Sequence, residues 1–150
     1  MAISQTATTS FKVELLQGVH NFGPTSPDTF KIALFTAAAS IGATTTQYTS
    51  GMTGEVTGTG YVAGGNTLTI SVAPSSGNNS SNIPTAYISF SNTSWSNATF
   101  TARGALIYNS SEGDKSVAVL DFGSDKTVSN DTFTITFPTP DANSAIVRIS

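Results

Sequence analysis

Apolar residues along this chain recur mostly with a period of two, and that period predicts strands. Phe30, Ile32 and Leu34 alternate with Lys31, Ala33 and Phe35, so both faces of this segment carry apolar side chains, as in a central strand. Phe133, Ile135 and Phe137 alternate strictly with Thr132, Thr134 and Thr136, which predicts one face on a core and the other in water. Residues 55–63 and 66–72 flank Gly64-Gly65, a dipeptide suited to the positive φ angles of a tight hairpin. Further strands are predicted at 85–91, 98–108, 115–122 and 144–149, with turn signals such as Asn109-Ser-Ser-Glu-Gly113-Asp114 and Gly123-Ser-Asp125-Lys126 between them. The stretch 37–53 has no clear period and reads as loop. Residues 74–84 enclose Ser-Ser-Gly-Asn-Asn-Ser-Ser-Asn and read as an exposed, mobile loop.

The period lengthens only near the N-terminus. Phe11, Leu15 and Val19 recur every four residues after Ser10, a suitable N-cap, which predicts two turns of helix ending near Gly18. A helix this short does not persist alone and has to dock, on its own sheet or on a neighbouring subunit. Residues 1–9 are small and polar apart from Ile3, a composition expected of a flexible arm. The expected architecture is therefore all-β: an antiparallel β-sandwich or flattened barrel of seven or eight strands over residues 10–150, carrying one short helix and preceded by an arm at 1–9. Ile3, Phe11, Leu15 and Val19 are the candidate partner-docking residues.

Composition supports strands. Ser and Thr supply 45 of 150 positions, and branched Thr fits a pleated surface, whereas strong helix formers are scarce. A net charge of −3, with four Lys and two Arg scattered along the chain, leaves no basic stripe for phosphates, so no nucleic-acid partner is expected. Without cysteine there is neither a disulfide framework nor thiolate chemistry. The first residues show neither a basic nor an apolar leader region, and no run of 18 apolar residues occurs; a soluble product with no membrane partner is expected.

Catalytic chemistry finds little footing. The single His20 sits at the predicted helix end, where packing or capping is its ordinary role, and no Gly-x-Ser-x-Gly elbow accompanies it. Asp114, Asp121 and Asp125 are near in sequence, but Asp114 and Asp125 fall in turns that favour Asp for local backbone bonding. Asp121-Phe122-Gly123 and Gly58-Thr59-Gly60 copy fragments of nucleotide-site motifs without the partners those sites need. No enzyme, metal or cofactor is expected.

Several stretches resemble a known family: Phe11–Phe22, Phe30–Thr36, Gly58–Gly65, Thr101–Asn109, Ala118–Lys126 and Thr132–Pro138. Together they resemble small structural proteins encoded by tailed bacteriophages, including cyanophages. The likeness spans residues 11–149, with 78–82 as an insertion. The resemblance implies a virion component made in the bacterial host's cytoplasm, with the major capsid protein or other virion proteins as partners and a homo-oligomer expected. A capsid decoration or cement protein is the first expectation, and a neck, tail or fibre-attachment part the second. A glycan-binding sandwich is the third, with Trp95, Tyr48 or Tyr61 stacking on sugars.

Overall fold

A computed structural model describes residues 2–150. The fold is an all-β sandwich of two antiparallel sheets. Its elements are β1 (Thr6–Ala7), α1 (Thr9–Leu16), β2 (Phe30–Phe35), β3 (Asn66–Leu68), β4 (Ile70–Asn78), β5 (Pro84–Phe90), β6 (Thr93–Asn109), β7 (Lys115–Ile135) and β8 (Val147–Ile149). One sheet has the order β1-β7-β6-β2-β3 and the other β4-β5-β8.

The framework is the β6/β7 hairpin, whose strands run 17 and 21 residues. Its tip is a 3₁₀ turn at Ser110–Glu112, where Asn109 Oδ1 accepts from Ser111 N–H. The predicted turn at 123–126 does not reverse the chain. Gly104 pairs with Asp121 and Ala102 with Lys126, so residues 122–125 bulge outward against Arg103 alone, and the two expected strands are one.

Phe30, Ile32 and Leu34 enter the main core between the sheets, while Ala33 and Phe35 on the opposite face enter a second core with Ala39, Ile41, Tyr48, Leu106, Tyr108 and Val119. The aperiodic stretch after β2 is thus the lid of that second core, which explains why β2 is apolar on both faces. Alternation at the end of β7 holds as expected: Ile135 and Phe137 are buried and Phe133 packs partly against the core, while Thr132, Thr134 and Thr136 are exposed.

Three further expectations need correction. The Gly64-Gly65 hairpin is not formed, because β3 pairs with β2 instead of with residues 55–63. A Cβ on Gly65 would overlap the Ile32 carbonyl, so glycine is needed there for close backbone approach to β2. The loop expected at 74–84 is mostly strand: Asn78 pairs with Pro84, and the Asn79 side chain closes the turn by accepting from Ser81 and Ile83 N–H. Finally, the expected arm belongs to the domain. Ile3 bridges Ile41, Thr6 and Ala7 pair with Val119 and Ala118, and Thr8 is fully buried. Backbone hydrogen bonds to the sheet and lid hold a segment too polar to be held by burial. Residue 1 of that expected arm lies outside the described residues.

Candidate functional site

Helix α1 is capped by Thr8, not Ser10. The Thr8 hydroxyl accepts from Phe11 N–H and lies 2.8 Å from Ser116 Oγ, which ties the cap to β7. At the other end Gly18 takes a φ of 71°; its N–H donates to Leu15 O while Val19 N–H donates to Glu14 O. That is a Schellman closure, and it turns the chain back across the helix.

The four candidate docking residues are thereby separated. Phe11 is 1% exposed in the main core, Leu15 packs partly against that core, Val19 is half-buried and Ile3 packs against the second core. Phe11 cannot dock a partner, because its stripe faces the protein's own sheets. The helix instead presents Leu16, 92% exposed, and Val13, 51% exposed. The interval of four found the buried side and missed the apolar pair three apart on the outer side.

His20 lies where the chain returns. Its Nε2 is 2.7 Å from Glu14 Oε2, and Asn109 Nδ2 is 3.0 Å from its Nδ1 and 2.7 Å from Asp28 Oδ2. Asn109 Oδ1 already accepts from Ser111 N–H, so its amide nitrogen is the donor to both acceptors. Nδ1 of His20 therefore accepts and Nε2 donates to Glu14. The ring packs against Phe11 and Phe22, and its side chain has no exposed surface. With both nitrogens engaged the imidazole is a structural link between helix and hairpin tip.

A second polar cluster escaped the sequence reading. Glu55 Oε1 accepts from Gly64 N–H at 2.7 Å and from Tyr61 Oη at 3.0 Å, while Tyr48 Oη donates to Oε2 at 3.0 Å. Leu34 N–H donates to Tyr61 Oη, and Tyr108 Oη, whose ring stacks on Tyr48, donates to Gly64 O. Burial first, then the hydrogen bond to Glu55 and its charge, push the Tyr48 phenol up to about 12. Tyr61 and Tyr108 are also raised, each chiefly by burial. Phenols held protonated are hydrogen-bond donors, not bases, and the cluster clamps the lid. Its one available signal was that Glu55 is the only charged residue between Lys31 and Arg103.

The remaining candidates do not converge. Arg103 lies 3.6 Å from Asp121 and 3.7 Å from Asp125 across the bulge, loose and partly exposed ion pairs of small energetic weight. Asp114 is at the hairpin tip, away from them in the strand register. Among the described residues no three His, Asp or Glu side chains are grouped to hold a metal ion, and no helix is long and apolar enough to cross a membrane. Trp95, Tyr48 and Tyr61 are 4%, 7% and 9% exposed, so none offers a ring face to a sugar.

These features define a β-sandwich whose buried polar groups act as structural ties. Comparisons with protein-family models, with curated proteins and with solved structures find no match to this chain.

Proposed function

We propose that this chain is a non-catalytic structural component of a tailed-phage particle, and specifically a decoration protein that lies across neighbouring subunits of the head. The observation that carries the reading is where the six resembling stretches fall in the fold. Residues 11–22 supply most of the helix and its closure, 30–36 contain β2, and 58–65 meet the Glu55 clamp. Residues 101–109 and 118–126 are facing parts of β6 and β7, and 132–138 close the main core. The likeness is one of framework, with no constellation of reactive groups among the shared stretches. A part whose work is to bury area in an assembly needs such a framework and an outward apolar contact. Val13 and Leu16 supply the contact. On a shell it repeats at every subunit, so a small gain per copy accumulates into firm attachment.

The test adds the purified chain to particles lacking it and measures bound copies by quantitative mass spectrometry, together with resistance to heat. Saturation in proportion to the shell subunits, with raised heat resistance, is the expected result. A few copies at saturation would assign the chain to neck or tail, and no binding would sink the virion reading.

A further inference from the structure

The edges of the three-stranded sheet differ. On one side β4 carries Pro74, two breaks in register against β5 and a polar end at Ser75-Ser76-Gly77-Asn78, devices that blunt an edge against further pairing. On the other side β8 pairs with β5 through Val147, Arg148 and Ile149, and its outer edge has no ladder partner among the described residues. A groove of about 460 Å³ runs along that edge, with Phe11 and Leu15 of the helix, Ala7 of β1 and Val147 and Ile149 of β8 among its apolar lining. Its two cations, Lys12 and Arg148, are both exposed. Arg148 donates to the Asn143 carbonyl, but neither cation meets a carboxylate among the described residues, in a chain of net charge −3.

From this geometry we infer that the free edge of β8 accepts an extended strand of another protein, one that alternates apolar residues with carboxylates. The alternation follows from β8 itself. Val147 packs on the main core, Ile149 shares its face, and Arg148 points the other way. A strand laid beside it places every second side chain toward Leu15 and Ile149 and the intervening ones beside Arg148, where opposite charge stabilises a cross-strand pair. Backbone bonds to the open ladder supply the attachment, and the apolar and charged positions supply the selectivity. A second copy of this chain is the poorer occupant, since its own β8 would bring another Arg148 into the same groove.

The test titrates the full chain with a capped synthetic peptide alternating valine and aspartate, and with the same peptide carrying lysine for aspartate. Binding is followed by fluorescence polarisation, and backbone amide exchange is read at residues 147–149. The aspartate peptide should bind at least about tenfold more tightly, slow exchange at those amides, and lose its advantage to the lysine peptide in the double variant Lys12→Glu, Arg148→Glu. Both positions are exposed, and unchanged thermal unfolding of the variant checks that it folds. Equal affinity for the two peptides, binding without protection at 147–149, or no saturable binding would overturn the inference. So would self-association of the free chain that protects the same amides, which would put a second copy in the groove. None of these outcomes depends on the particle, so a failure here is distinct from a failure of the decoration reading.

Discussion

The two faces of the five-stranded sheet are buried by different means. On the inner face the second sheet supplies the cover, and the core contains a connected set of five phenylalanine rings from Phe11 through Phe22, Phe30, Phe90 and Phe137, with His20 alongside. On the outer face the cover is a lid without regular strands, and Ala39, Ile41, Tyr48 and Met52 reach down from it. Each of the two sheets is fastened by the backbone ladders between its own strands. The lid has only isolated backbone bridges, such as Ile3 with Ile41 and Gln47 with Lys115, so side chains add to its fastening, and the Glu55 clamp does this. Core geometry is therefore imposed by strand pairing on one face and by a few hydrogen bonds on the other.

The comparison breaks most sharply at two phenylalanines on opposite faces of β2. Phe30 is 1% exposed in the main core and Phe35 is 0% exposed in the second. Phe30→Ala should cost about 3–5 kcal/mol, because two paired sheets cannot close on the cavity. Phe35→Ala should fall at or below the bottom of that range, about 3 kcal/mol, because the lid can settle into the space. Denaturant unfolding of both variants checks the order; a larger loss at Phe35 would show that the lid is as rigid as a sheet.

Glu55→Ala strikes the clamp directly. It leaves Gly64 N–H and two phenols without their acceptor, and a loss of roughly 1–3 kcal/mol is expected. Amide exchange should quicken across the lid before the β6/β7 hairpin is affected. Uniform acceleration would mean that lid and sheet unfold as one. Alkali tests the same clamp without mutation. The Tyr48 phenol is raised from 10.0 to about 12, so between those values the unfolded chain releases a proton that the folded chain keeps. Stability contributed by Tyr48 is full below about pH 10 and lost as pH rises through about 12, and the raised Tyr61 and Tyr108 add to the fall. A denaturation midpoint unchanged over that window would contradict the burial of these phenols.

The same contrast decides what could be read from the residues. Strands announce themselves by period, whether one face meets water, as at the end of β7, or both carry apolar residues, as in β2, so both were legible, as was the all-β class. The lid was not, because its structure comes from contacts distant in sequence, such as Ser116 Oγ donating to Thr45 O and Tyr48 N–H donating to Asp114 O. The N-terminal segment was misread for the same reason: a polar stretch can be ordered by pairing, which composition does not register. Gly-Gly and Gly-Ser-Asp-Lys were read as reversals, although a glycine pair can also mark close backbone approach and a turn sequence can form a bulge. At the candidate docking site the four-residue interval located the helix but chose its inward side.

Thr8→Ala measures how firmly that N-terminal segment belongs to the domain. The substitution removes the helix cap and a buried hydroxyl contact with Ser116, and about 1–2 kcal/mol should be lost. A loss near zero would return residues 2–9 to the status of an arm.

Leu16→Glu is expected to have the smallest effect on folding and the most informative effect on assembly. The side chain is 92% exposed and has no part in either core, so the free energy of unfolding should change by no more than about 0.5 kcal/mol. If the outer side of α1 is the contact with the particle, the same change places a charge where an apolar surface is to be buried, and that cost recurs at every copy. Occupancy on particles should then fall steeply while the free protein stays folded. Leu15→Ala is the companion measurement: it weakens the inner side of the same helix, so it should lower stability more and occupancy less. If Leu16→Glu instead binds particles like the unsubstituted chain, the helix is a structural element only and attachment must be sought on another surface.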